Sequence, residues 1–230
     1  MTTVGTPCFK GSPLPNTKPS FDTYLFDLDG TLIDSVDLIL TCYRHTVKQH
    51  LGEVPPEEIW MAGLGTPLRS QLAYFSRDPE EIEAMATTYR EFHHQHHDEL
   101  LKQYPGALEA VRALKTPGTK FGIVTSKMPW STRRGLEICG FDGLFEALVT
   151  ADDVKKHKPE PEPVYRALEL LDADASGAVF VGDSPHDMAA GRSAGVKTAA
   201  ALWGPFDRKA LEPEQPDYWL EKPADLSQIG

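Results

Sequence analysis

Two aspartates stand two residues apart in the run Phe26-Asp27-Leu28-Asp29-Gly30-Thr31-Leu32-Ile33-Asp34, directly before a glycine. On an extended backbone, residues i and i+2 project to the same face. Asp27 and Asp29 are therefore expected to point together beyond the end of a short strand, with Leu28 turned to the sheet packing. Two like charges this close are unfavourable unless a cation or a proton joins them, so cation binding and proton exchange are the chemistry this spacing suits. Taken alone, Asp29-Gly30 also reads as an ordinary hairpin turn between two apolar runs.

The elements that must position this pair come next. Five apolar runs, Thr23–Leu28, Lys120–Ser126, Ala147–Thr150, Ala178–Asp183 and Lys197–Leu202, lack the alternation of half-exposed strands and suit a parallel sheet buried on both faces. Val164, Ala167, Leu168 and Leu171 form one helical stripe, with Pro161 and Pro163 at its start. Strands alternating with helices predict a doubly wound, Rossmann-like α/β layer. The stretch 36–103 holds no convincing strand and is rich in helix formers, which predicts a small all-helical cap domain inserted after the first strand. The core would then comprise residues 21–35 and 104–230, with hinges near Asp34-Ser35 and Tyr104-Pro105-Gly106. Residues 1–20, with four prolines, read as a flexible leader.

Ligands of open parallel sheets bind outside the carboxyl ends of the strands. That rule gathers Asp27 and Asp29, then Thr125 and Ser126, then Asp183, each ending a different predicted strand, on one sheet edge.

The ordered set Asp27-Leu28-Asp29-Gly30-Thr31, Val124-Thr125-Ser126-Lys127, Lys158-Pro159 and Gly182-Asp183-Ser184-Pro185-His186-Asp187 resembles the four motifs of the haloacid dehalogenase superfamily. The helical insertion is similar to that family's first type of cap, and the segment from Tyr104 onward to its phosphoglycolate phosphatase and small pyrophosphatase branch. The resemblance implies that Asp27 is a nucleophile forming an aspartyl-phosphate and that Asp29 exchanges protons with the leaving group and water. It implies phosphoryl contacts from Gly30, Thr31, Thr125 and Ser126, and a positive charge from Lys158. It also implies a Mg²⁺ site made by Asp27, the backbone carbonyl of Asp29, and Asp183, with Asp187 as a further candidate.

Several residues carry two readings. Ser184 and Asp187 also form a capping box, which is compatible with a metal role for Asp187. Asp34-Ser35 reads as a helix start rather than as catalytic. Lys127 is either a substrate contact or a surface lysine. The loop Gly63-Leu64-Gly65-Thr66-Pro67-Leu68 reads as a cap loop over substrate, with Arg69 as an anion contact. The cluster His93-His94-Gln95-His96-His97 has a zinc-like i, i+4 spacing but no evident third ligand, and reads as a solvated helix end.

Composition sets the outer limits. The formal net charge is −11, which argues against nucleic acid or an anionic membrane as the main partner. Cys8, Cys42 and Cys139 stand at unrelated spacings and read as reduced thiols in a cytoplasmic protein. There is neither a membrane-span pattern nor a secretory signal. The expectation is a Mg²⁺-dependent phosphohydrolase of a small phosphorylated molecule, monomeric or homodimeric. The alternatives are a sugar-phosphate mutase of the same superfamily, or a catalytically silent binding protein on the same fold. Dehalogenase and phosphonate-hydrolase branches, which lack the second aspartate of the first motif, do not fit Asp29.

Overall fold

The computed structural model describes residues 21–229. The expected leader at 1–20, with Cys8 inside it, lies outside them. In chain order the strands are β1 (Thr23–Phe26), β2 (Ile33–Asp34), β3 (Lys102–Gln103), β4 (Lys120–Val124), β5 (Ala147–Val149), β6 (Ala178–Gly182), β7 (Lys197–Ala201) and β8 (Tyr218–Leu220). The helices are α1 (Val36–Leu51), α2 (Glu57–Met61), α3 (Leu68–Leu72), α4 (Pro79–Leu100), α5 (Ala107–Leu114), α6 (Pro129–Ile138), α7 (Glu162–Leu171), α8 (Pro185–Ala194) and α9 (Arg208–Leu211). Among the described residues no helix is long and apolar enough to cross a membrane.

Six strands form one parallel sheet in the order β5-β4-β1-β6-β7-β8. Successive residues of β1 serve opposite faces. Tyr24 and Phe26 pack with Val111 and Leu114 of α5 and Leu136 of α6, whereas Leu25 packs with Val164 and Leu168 of α7. Both faces are covered, which is why these strands read as continuous apolar runs rather than alternating ones. From β1 the chain winds outward through β4 and β5, then crosses back to β6 and winds the other way. The crevice at the carboxyl ends of β1 and β6 is therefore the place such a sheet offers a ligand.

Between β2 and β3 the chain folds as four helices around their own apolar cluster of Leu40, Tyr43, Val47, Trp60, Leu72, Met85 and Ala86. Tyr43 and Trp60 stack with ring centroids 3.7 Å apart, and Phe75 continues the stack 4.2 Å from Trp60. Asp78 caps α4 by accepting the Glu80 amide at 3.0 Å, with Pro79 at the first helical position. These helices meet the core at an antiparallel two-stranded ribbon, Ile33 opposite Gln103 and Asp34 opposite Lys102.

Three local differences from the sequence reading have physical reasons. The insertion does contain a strand, β3, whose two residues are too short for any periodicity to show. The edge strand β8 follows Pro216 and spans three residues, so it too escaped the pattern. Finally, β1 stops at Phe26. The chain then turns tightly, with Leu32 and Ile33 both donating their amides to the Leu28 carbonyl at 3.0 Å, so Asp29 lies in a turn rather than on the extended strand.

Candidate active site

Three adjacent strand ends supply the floor of a cavity of about 510 Å³ that lies between the sheet and the helical insertion. Asp27 follows β1, and its amide donates to the Val181 carbonyl at 2.9 Å, which extends the β1–β6 ladder one residue and fixes its direction. Thr125 follows β4 and is tied to β5 through its amide and the Val149 carbonyl at 2.9 Å. Asp183 follows β6. All three are buried.

Lys158 reaches the same point from the loop before α7. Its ammonium lies 2.9 Å from an Asp27 carboxylate oxygen and 2.6 Å from Asp187 Oδ1, and it donates to the Val124 carbonyl at 3.3 Å. Burial alone would favour the neutral amine, but Asp187 and Asp27 outweigh it and raise the Lys158 pKa. Burial and the neighbouring Asp187 charge push the Asp27 carboxyl up to about 7, against the opposing pull of Lys158. Asp183 is raised well above the usual carboxylate range by burial and by Asp187 and Asp27. One ammonium thus faces three buried carboxylates whose oxygens lie within 4.8 Å of one another. A set of hard oxygen donors with surplus negative charge fits a hard dication such as Mg²⁺.

The hydrogen bonds narrow which of these acids face such an ion. Asp187 gives Oδ1 to Lys158, while Oδ2 accepts from the Ser184 amide at 3.0 Å and the Ser184 hydroxyl at 2.6 Å. The capping box at the start of α8 is thus present, and its acid doubles as the anchor of Lys158. Asp183 accepts from the buried Thr31 hydroxyl at 2.8 Å. Thr31 therefore orients an acid rather than presenting its hydroxyl to a phosphoryl group. Gly30 has φ +86, and a Cβ there would sit 2.5 Å from Asp183, so only glycine lets the turn pass so near that carboxylate.

Asp29 also lines the cavity, but its carboxylate is held apart from the other three. Oδ1 accepts from the Ser35 hydroxyl at 2.6 Å and from Lys127 Nζ at 2.7 Å. Burial works against its charge, yet the Lys127 ammonium and the Ser35 hydroxyl prevail and lower its pKa. Both bonds fall on Oδ1, which leaves Oδ2 without a hydrogen-bond partner among the described residues. Lys127 is buried at the site rather than on the surface, with 7% of its side chain exposed.

Of the other predicted residues, Ser126 donates its hydroxyl to the Gly65 carbonyl of the cap loop. Arg69 lines the cavity but is held through Nε and Nη2 by both oxygens of Glu83, at 2.8 and 2.7 Å. The histidine cluster is only partly a solvated helix end: His94 and Gln95 are exposed, but His97 is fully buried and His93 lines the cavity, both packing on Trp130. Burial and the Lys127 charge lower the His93 pKa to about 3.

Sequence reasoning missed four contributors. Ser35 precedes α1 as expected, but its hydroxyl serves Asp29 instead of capping the helix. Trp203 donates its indole N–H to the Thr31 carbonyl at 2.8 Å. Gly204 leaves no room for a Cβ, which would lie 2.5 Å from Asp183. The run Trp203-Gly204-Pro205 after a strand end was the available signal. Arg90, on the α4 face toward the cavity, carried none beyond helical spacing.

A doubly wound parallel sheet with convergent acids and a buried lysine at its switch point, roofed by a helical insertion, defines a capped Rossmann-like α/β hydrolase. The chain belongs to the haloacid dehalogenase-like hydrolases, whose family model matches residues 24–201. It is 43% identical over 208 residues to the pyrophosphatase PpaX of Bacillus cereus strain G9842, covering 90% of this chain and 95% of that protein. PpaX of Anoxybacillus flavithermus is 40% identical over 210 residues, covering 91% and 97%. Among solved structures, a haloacid dehalogenase-like hydrolase from Streptococcus pneumoniae superposes with a TM-score of 0.80 at 24% identity, covering 91% of this chain and 98% of that one. A predicted phosphoglycolate phosphatase from Haemophilus somnus does so with a TM-score of 0.82 at 23% identity, again covering 91% and 98%. These two likenesses bear on the fold.

Proposed function

We propose that the protein is a Mg²⁺-dependent phosphohydrolase that cleaves a small phosphorylated molecule, of the pyrophosphate or phosphoglycolate type, through an aspartyl-phosphate at Asp27. The observation that carries this reading is the placement of Asp27. It is buried at the end of the central strand, is charge-paired with Lys158 at 2.9 Å, and opens onto the capped cavity.

In the first half-reaction an Asp27 oxygen attacks phosphorus as the bond to the leaving oxygen breaks, and Asp29 delivers a proton to that oxygen. In the second, Asp29 takes a proton from water, the water oxygen bonds to phosphorus, and the acyl-phosphate P–O bond breaks to return the Asp27 carboxylate. Lys127 and Ser35 favour the ionised Asp29 needed for the second half. An entering phosphoryl dianion competes for the Lys127 ammonium and so favours the protonated form needed for the first. Lys158 offsets charge on the attacking carboxylate and on the phosphoryl oxygens. Mg²⁺, held by Asp27, Asp183 and the Asp29 carbonyl, would offset the charge of these acids and of the phosphoryl group. The helical insertion keeps bulk water from the intermediate. The similarity to pyrophosphatases along nine-tenths of the chain supports hydrolysis over phosphoryl isomerisation.

The test is phosphate release from pyrophosphate, phosphoglycolate, nucleotides and sugar phosphates, with and without Mg²⁺, against Asp27→Asn. Metal-dependent release that falls by about three orders of magnitude or more in Asp27→Asn is expected. Retained release in that variant would overturn the covalent route. No release from any compound, with a sugar phosphate isomerised or merely bound, would overturn the hydrolase.

A further inference from the structure

Away from the catalytic acids the cavity changes character. Val36, Ile39 and Tyr43 fall at i, i+3 and i+7 on α1 and line it as one stripe, joined by Leu64, Leu68 and Tyr89 from the rest of the cap. Val36, Ile39, Leu68 and Tyr89 are only half-buried, and each also packs against the cap's own apolar cluster. That cluster thus runs out of the cap and forms a roof over the cavity.

The polar groups of this roof are spent on one another. Tyr43 donates its hydroxyl to the Gln71 side-chain oxygen, the Gln71 amide donates to the Thr66 carbonyl at 2.9 Å, and the Thr66 hydroxyl donates to the Gly63 carbonyl at 2.7 Å. Charge is equally accounted for. Glu83 takes Arg69 with both oxygens, and Asp152, on the cavity wall, acts on the same guanidinium. Arg90 pairs with Glu83 at 3.4 Å, and its Nε is shut away from solvent. His93 stays uncharged, because burial and the Lys127 charge lower its pKa. What this roof offers an incoming group is packing.

The leaving group is the part of a substrate that meets it. Asp29 protonates the leaving oxygen in the reading above, and its carboxylate is tied to Ser35, the residue directly before Val36. A group bonded to that oxygen extends past Asp29 along the Val36, Ile39 and Tyr43 stripe. The cavity of about 510 Å³ falls within the range of roughly 300–1,000 Å³ typical of sites that enclose an organic molecule. Inorganic pyrophosphate has no carbon to pack there.

We propose that the protein also hydrolyses phosphomonoesters whose leaving group is an uncharged, apolar organic chain, packed against Val36, Ile39 and Leu68. The P–O bond to the organic group breaks, its oxygen takes the proton from Asp29, and one water is consumed to release an alcohol and phosphate. This rests on the phosphohydrolase reading above and names a further substrate class for the same site.

The test measures kcat/KM for ethyl, butyl and hexyl phosphate, whose leaving alcohols have nearly equal acidity, so that length varies while the chemistry is held fixed. Each methylene buried under the roof should raise kcat/KM about two- to fourfold, carried mainly by KM. The hexyl-to-ethyl ratio should shrink in Ile39→Thr and in Leu68→Gln, and an unchanged ratio in both overturns the assignment of the roof. A flat series in wild type overturns the proposal whether or not the variants fold, as does release from pyrophosphate with none from any alkyl ester. Failure of the underlying reading shows separately, as a wild-type protein that releases phosphate from neither pyrophosphate, phosphoglycolate nor any ester. In that event calorimetric titration of the three alkyl phosphates into the protein with Mg²⁺ decides. A Kd that falls with chain length supports the roof as a binding surface, and an equal Kd for all three overturns it.

Discussion

Ser126, at the end of a core strand, donates its hydroxyl to the carbonyl oxygen of Gly65 in the cap loop across 2.7 Å. The two groups come from opposite sides of the cavity, so the bond exists only while the cap is closed. Gly65 is shaped for the contact: its φ is +87, and a Cβ there would lie 3.1 Å from the Ser184 hydroxyl. The Ser126 side chain is thus a latch in this state rather than a free phosphate donor.

Loss of the latch should shift the cap toward opening and leave the chemistry in place. One net hydrogen bond is worth about 1 kcal/mol, so Ser126→Ala should raise KM by roughly fivefold with kcat within about twofold. Steady-state kinetics on the preferred substrate would show it. A kcat loss of about a hundredfold with little change in KM would instead make Ser126 a transition-state contact to the phosphoryl group.

Lys158 supports a different expectation, on stability as well as rate. Its side chain is 1% exposed and neutralises part of a cluster formed by Asp27, Asp183 and Asp187. Removing one partner of a buried ion pair leaves charge uncompensated and typically costs about 3–5 kcal/mol. Lys158→Met should therefore lower Tm by roughly 6–20 °C without Mg²⁺. Added Mg²⁺ should return part of that loss by replacing the missing positive charge. Thermal melts with and without Mg²⁺ make the comparison. A variant as stable as wild type under both conditions would mean the acids carry protons in place of a counter-ion.

The legibility of this site in the sequence follows from how each side chain gets its position. Asp27, Thr125 and Asp183 were readable because a parallel sheet brings strand ends together, and a strand end can be found from its apolar run. Lys158 arrives on a loop and was placed by family resemblance alone. Ser35 was read as a helix cap because its type and location fit one. Its hydroxyl turned instead to Asp29, since the turn after β1 folds that acid back toward the start of α1. Arg69 drew notice for its loop, but its role depends on Glu83, fourteen residues away on another helix. The histidine cluster looked polar and was read as solvated. Trp130, from a segment more than thirty residues downstream, packs on His93 and His97, and no local pattern in α4 announces that contact.

That contact leads to the last expectation, a dependence of stability on pH. Burial and the Lys127 charge hold His93 neutral, with its pKa lowered to about 3 against an ordinary value near 6.5. The depressed pKa belongs to the folded state, so below about pH 6.5 the unfolded chain takes up a proton that the folded chain refuses. The stability His93 supports is complete above that point and is lost progressively as pH falls toward 3. Between about pH 7.5 and pH 5 the loss amounts to at most roughly 2 kcal/mol. His93→Gln removes the titrating group, while the carboxylates that titrate in the same range stay common to both proteins. Urea unfolding of the two proteins at those two pH values should therefore show wild type losing more stability on acidification than the variant. Equal losses would mean that the folded protein protonates His93 freely, as a solvated histidine does, and that the seam around Trp130 admits water.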